Sequence, residues 1–318
     1  MTLDWATTRF LDSLSRADDR LRRPRSVADL RSLTECLATD NGPGPALESV
    51  EEVTLHRQNV PTARLRVLTS RLEAPAVVVH FAGSAWGWVA GNLDSTDTVS
   101  RKLAERTGCT FITVECRKAP EHPYPAAVED AWQALEWAEQ YRRRLPDPTP
   151  PLVILGEGSG GTLAAVLARR TAESGGPAVG SVILVSPCLD SRTTRRSYLR
   201  YGADGFVDAA LMEHIWDLYL PNALDRVSAD ALPLRERDFS GQPPTLFLTA
   251  EHDALYDEGY EYCARLASAG VAVERYEFPG QMHGFFGILA LPLGERAFQA
   301  VIRYLHRYVA GTATAVAA

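Results

Sequence analysis

The chain has 318 residues, 46% of them hydrophobic and 23% charged, and a net charge of −7. That length and balance suit one large soluble α/β domain with a substantial core. The acidic charge gives nucleic acid no electrostatic hold, and the arginine clusters at 20–25, 142–144 and 192–196 read as solvated surface.

Five cysteines, Cys36, Cys109, Cys116, Cys188 and Cys263, are scattered without metal-ligand spacing. An odd number in a chain this long argues for reduced thiols and a cytoplasmic location. The polar start, Met1-Thr-Leu-Asp-Trp5, does not read as a signal peptide. The apolar runs are strand-sized, short of the ~20 residues of a membrane helix. The expected partner is therefore a small molecule, with no nucleic acid, no membrane, no metal and no organic cofactor; the chain is expected to be a monomer or homodimer.

Residues 1 to about 40 carry helical periodicity, with Trp5, Phe10, Leu11, Leu14, Leu30, Leu33 and Leu37 at three- and four-residue steps. Asn41-Gly-Pro-Gly-Pro45 breaks the pattern. Val50–Arg57 and Ala63–Leu68 predict a hairpin, and the unbroken run Ala76–Phe81 predicts a strand buried on both faces. Helix and strand then alternate: a helix over 97–108, a strand over 110–114, a helix over 126–144 with Trp132, Leu135 and Trp137 inward, and a strand over 152–155. The series continues with a helix over 162–173, strands over 180–186 and 245–250, a helix over 257–269, a strand over 271–278 and a last helix over 295–309. Such alternation predicts an α/β fold, a mostly parallel sheet covered on both faces. The aromatic-rich stretch 191–238 interrupts it, as a lid over a site would. The tail from Ala310 is expected to fray.

Leu152-Val-Ile-Leu155, then Gly156-Glu-Gly-Ser-Gly-Gly161, then an alanine-rich stretch is strand, glycine turn, helix: the setting of a nucleophile elbow. In the register Gly-x-Ser-x-Gly read from Gly156, however, the nucleophile position is Gly158, and a serine stands one place later at Ser159. Together with Cys116-Arg-Lys-Ala-Pro-Glu-His-Pro-Tyr-Pro-Ala-Ala127, Ala250-Glu-His-Asp-Ala-Leu-Tyr-Asp-Glu-Gly259 and Gly280-Gln-Met-His-Gly-Phe285, this elbow resembles the hormone-sensitive-lipase branch of the α/β-hydrolases, the bacterial esterase and acetyl-hydrolase group. The resemblance implies an α/β-hydrolase core over 46–190 and 239–318, with residues 1–45 and 191–238 as two parts of a helical cap. It matches Asp253 to the triad acid, His283 to the triad base and Glu157 to the family's elbow aspartate. Two segments depart from the pattern. Gly158 leaves the triad without its nucleophile, and Ala82-Gly-Ser-Ala-Trp86 keeps one glycine of the oxyanion cluster and lacks its histidine.

Loss of a triad serine costs on the order of 10⁶ in turnover, so acylation through Gly158 is not expected. Ser159 is rotated by about 100° from that position at a helix start, and its N–H takes the place of an oxyanion donor. A His–Asp dyad is a general base without any nucleophile. The candidate catalytic residues are thus His283, Asp253 and Glu157, the last either a loop-holding carboxylate or an acid–base group. The candidate substrate-binding residues are Gly83, Ser84, Trp86, Trp88, Gly158, Ser159, Phe206 and Trp216. His80 reads as packed in its strand and His252 as a loop residue. Three readings stay open. The first is base-catalysed elimination of acetate or another carboxylate, or cyclisation, as in relatives of this fold acting on acylated natural-product intermediates, tetronate polyketides included. The others are an esterase using Ser159 and an inactive small-molecule binding protein.

Overall fold

The apolar runs of the sequence become the middle of a single sheet. The computed structural model describes residues 2–70, 75–83, 88–145 and 150–316. Its strands are β1 (Ser49–Arg57), β2 (Val60–Thr69), β3 (Val77–Phe81), β4 (Thr110–Glu115), β5 (Leu152–Glu157), β6 (Val179–Val185), β7 (Thr245–His252) and β8 (Val273–Met282). They run in the order β1-β2-β4-β3-β5-β6-β7-β8. The β1–β2 and β2–β4 pairs are antiparallel, and every pair from β4 onward is parallel. The expected hairpin is present. Gln58 and Asn59 turn it with φ of 50° and 64°, the double positive φ that matches the twist of the flanking strands.

All residues of β3, β5 and β7 are buried, as strands covered on both faces must be. Helices α4 (Asp97–Thr107), α5 (Ala126–Arg142), α6 (Ser159–Ser174), α9 (Tyr256–Ser268) and α10 (Pro292–Val316) supply the cover. The last of these runs through to Val316, past the point where the sequence predicts fraying. Of the residues expected inward on α5, Leu135 is fully buried while Trp132 and Trp137 are half-buried.

The N-terminal segment forms α1 (Trp5–Ala17), α2 (Asp19–Arg22) and α3 (Val27–Asn41). Asp4 caps α1 by accepting from the Thr7 N–H at 2.7 Å. Its own N–H donates to Gly280 O at 3.0 Å, and its carboxylate accepts from Gln281 Nε2 at 2.6 Å. The first helix is thereby tied to the end of β8, next to His283. Trp5, expected inward, is 75% exposed; it leaves the interior to Leu11 and Leu14 and lies under the Arg9 guanidinium. Residues 191–238 fold into α7 (Arg196–Tyr201), α8 (Ala209–Tyr219) and two short 3₁₀ turns. Arg22 donates to the Gly205 and Asp204 carbonyls and so joins the two helical segments.

Candidate active site

The carboxyl ends of the parallel strands carry the site, where open α/β sheets bind their ligands. Gly158 is the single residue between β5 and α6, at φ 52° and ψ −117°. A side-chain-bearing residue rarely adopts that conformation, and glycine adopts it without strain. Three bonds hold the turn: the Gly158 N–H donates to Val185 O (2.9 Å), and its carbonyl accepts from the Gly161 and Cys188 N–H groups (3.0 Å each).

A β-carbon built on Gly158 would stand 3.3 Å from His283 Nε2 and 3.8 Å from the Cα of Gly83. The backbone therefore aims position 158 at the imidazole. Gly83 itself packs against the elbow so closely that any β-carbon would lie 1.8 Å from the Glu157 carbonyl. That contact explains why this glycine of the arm stands here.

Asp253 follows directly on β7, and His283 directly on β8. A register shift in the β7–β8 pairing between Ala250 and His252 precedes the acid. The Asp253 carboxylate accepts from the Leu255 N–H at 2.9 Å and pairs with His283 Nδ1 at 2.9 Å. A carboxylate partner fixes the proton on Nδ1 and leaves Nε2 as the basic nitrogen. Burial lowers the basicity of His283, but the Asp253 charge and hydrogen bond outweigh it, with a smaller contribution from Glu157; the imidazole pKa ends above its ordinary value.

The cleft beside this dyad holds ≈ 510 Å³ of empty space, its mouth included. Leu33 and Leu37 of α3, Phe206 and Ile288 give it an apolar wall; Glu157 and His283 face it from the elbow side. Glu157 is 5% exposed. Burial pushes its carboxyl up to about 7, against the opposing pull of His283 and the Gly287 amide. The site thus joins an imidazole made more basic by its carboxylate partner to a carboxyl group that burial pushes up to about 7, an arrangement suited to proton transfer.

The other expected residues are placed as follows. Gly83 and Phe206 line the cleft, the Phe206 ring standing edge-on to Phe10 at 6.5 Å. Ser159 begins α6, so its N–H has no acceptor within the helix. Its hydroxyl is buried without a partner, and the residue is not among those lining the cleft. Ser84 and Trp86 lie outside the described residues.

Trp88 and Trp216 correct the expectation of a tryptophan-lined pocket. Trp88 stacks on Tyr219 at 4.4 Å and meets Trp216 at 4.6 Å. Both indoles are fully buried and neither lines the cleft. Stacking removes more apolar ring surface from water than exposure to a cleft would. His80 is packed as expected, its Nδ1 on Ser100 Oγ at 3.0 Å, and burial lowers its pKa to about 4. His252, read as a loop residue, ends β7 instead, with Nδ1 on Asp204 at 2.6 Å.

Sequence reasoning missed Leu33, Leu37, Asn41, Ser95 and Ile288 as cleft residues. The i, i+4 leucine pair was legible as a helix stripe, but not which surface it would cover. Among the described residues there is no disulfide, no cluster of metal-ligating side chains, and no helix long and apolar enough to cross a membrane.

Comparison with known proteins agrees with this architecture. Residues 78–287 match a family model described as alpha/beta hydrolase fold. The chain is 33% identical over 239 residues to the carboxylesterase NlhH of Mycobacterium tuberculosis, covering 72% of this chain and 74% of the relative. It is 30% identical over 260 residues to an ethyl acetate hydrolase of Pseudomonas putida, covering 80% and 81%. The solved structure of a hyperthermophilic esterase from Pyrobaculum calidifontis superposes with a TM-score of 0.83 at 28% identity, over 96% of this chain and 98% of that one. The chain belongs to the hormone-sensitive-lipase-like α/β-hydrolase family, alongside esterases.

Proposed function

We propose that the chain is an enzyme acting on small carboxylic esters, in which the His283–Asp253 dyad works as a general base on water and no acyl-serine forms at the elbow. The observation that carries this reading is the aim of His283 Nε2 at a position, Gly158, that has no side chain. The esterase activities named for the relatives support the substrate class. In the proposed step, Nε2 takes a proton from water as its oxygen bonds to the ester carbonyl. The ester C–O bond then breaks, and the departing alkoxide takes a proton from imidazolium or from the Glu157 carboxyl. The N–H groups of Gly83 and Ser159 are the proposed donors to the carbonyl oxygen as it gains charge. Residues 1–45 and 191–238 are the proposed cap.

A second reading uses the same base for elimination from an acylated intermediate. His283 removes a carbon-bound proton, the C–O bond breaks, and a carboxylate leaves an alkene behind. The hydroxyl-free elbow favours it, since a substrate carbon can approach Nε2 where a serine would otherwise stand.

One experiment separates these. A short-chain aryl ester and a β-acyloxy carbonyl compound are turned over in ¹⁸O-labelled water by the wild type, Ser159→Ala and His283→Ala. Labelled oxygen in the released acid, lost in His283→Ala and kept in Ser159→Ala, supports water attack. Unlabelled acid with an alkene product supports elimination. Loss of labelled acid in Ser159→Ala assigns the nucleophile to Ser159 and overturns the main reading. A chain that binds these compounds and turns over neither overturns both.

A further inference from the structure

Asn41 is the last residue of α3 and stands in the cleft wall, and each end of its amide is already bonded to the chain. Its Nδ2 donates to Gly287 O at 2.8 Å, and its Oδ1 accepts from the Leu289 N–H at 3.0 Å. One side chain thus pairs with two residues on the same chain stretch, two apart, as a neighbouring strand would. The backbone under Asn41 is itself fixed. Gly42 closes the helix at φ 65° with its N–H on Thr39 O (3.1 Å), and the Thr98 hydroxyl of α4 donates to Gly42 O.

The stretch that Asn41 grips begins at His283. Gly284, at φ 81°, starts a 3₁₀ turn over 285–287, and the Gly287 N–H closes it on Gly284 O at 3.1 Å. That same amide faces the Glu157 carboxyl and favours its ionised form, against the larger effect of burial. The carboxyl lies so close that its oxygens would be 3.5 and 3.6 Å from a β-carbon on Gly287.

We propose that Asn41 is a positioning residue: its carboxamide pins residues 287–289 against α3 and thereby holds the Gly287 amide on the Glu157 carboxyl beside His283. The inference rests on the reading of Glu157 and His283 as the acid–base pair of the site. It adds the statement that a residue at the end of the N-terminal helical segment sets the environment of that pair. The groups acting on Glu157 are His283, itself paired with Asp253, and the Gly287 amide.

The test needs no turnover. The titration of Glu157 is followed by NMR of ¹³C-carboxyl-labelled glutamate in the wild type, Asn41→Ala and the near-isosteric Asn41→Leu, with amide exchange of Leu289 read alongside. An amide that bonds the ionised carboxyl favours that form, so its release raises the midpoint. The expected result is an upward shift of about half a unit or more, with Leu289 exchanging roughly ten times faster, one kcal-scale bond having been lost. A folded variant whose Glu157 midpoint is unmoved overturns the proposal. So does a wild-type Leu289 amide that exchanges like that of a free loop, a measurement that stands even where both variants fail to fold. A chain that hydrolyses no ester still answers this test, so the two readings fail separately.

Discussion

His283 Nε2 stands 3.3 Å from the point where a β-carbon on Gly158 would lie. A serine whose hydroxyl donates to an imidazole at about 2.8 Å places its β-carbon about 3.5 Å from that nitrogen. The dyad is therefore set at the spacing of a serine that the chain does not have.

Gly158→Ser should restore a Ser–His–Asp constellation. The expected outcome is stoichiometric labelling by an alkyl fluorophosphonate, seen as a mass shift on Ser at 158, with the wild type unlabelled at this residue. The positive φ of 52° should cost the variant about 1–3 kcal/mol of stability. A folded variant that resists the reagent would show that Nε2 does not reach the hydroxyl.

His283→Ala should lower turnover of any substrate of this site by roughly 10²–10⁴, the usual share of a positioned base. Asp253→Asn keeps the shape but no longer fixes the proton on Nδ1. It should cost on the order of 10⁴, as wrong-tautomer variants of triad enzymes do. Steady-state rates with unchanged Tm in both variants check this; equal loss of folding would point to a structural role.

Glu157 makes stability depend on pH. Its carboxyl rises from an ordinary 4.5 to about 7 in the folded chain. Between these values the folded state holds a proton that the unfolded state has released, so stability falls as pH rises through that window. Glu157→Gln removes this fall. The variant should gain on the wild type from pH 4.5 to 7 and level off above it, by on the order of 3 kcal/mol. Urea titrations at pH 5 and pH 8 read the difference; a constant offset between the two chains contradicts it.

Trp88→Ala should act through the core. It removes an indole stacked on Tyr219 and tilted against Trp216, and large aromatic truncations of this kind cost about 3–5 kcal/mol. Phe206→Ala, at the cleft wall, should instead raise KM with a smaller loss of stability. Denaturation curves and KM values for the pair check the contrast.

The sheet was legible because hydrophobic period changes visibly between segments such as Ala76–Phe81 and Ala126–Arg144. Asp253 and His283 were legible because each sits in a short loop whose local sequence is distinctive. The wall of the cleft was not, because it is assembled from α3, residues 94–96 and the turn after His283, which meet only in the fold. Trp88 and Phe206 are both aromatic and both near loops, and nothing in their sequence neighbourhoods states which way the ring turns. Glu157 was expected to serve loop structure or chemistry. It lines the cleft beside His283 and Gly287, a juxtaposition of β5 with the turn after β8 that only the fold creates.

The elbow keeps its shape through three main-chain bonds to neighbours at Val185, Gly161 and Cys188, none of which depends on what Gly158 carries. The turn therefore behaves as a socket, with geometry set by the frame and an occupant that can be changed at the cost of the strain a side chain meets at φ 52°. A cysteine or serine placed there meets a base that is already oriented, and the backbone need not be rebuilt around it. In engineering terms, the nucleophile of this scaffold is a detachable part.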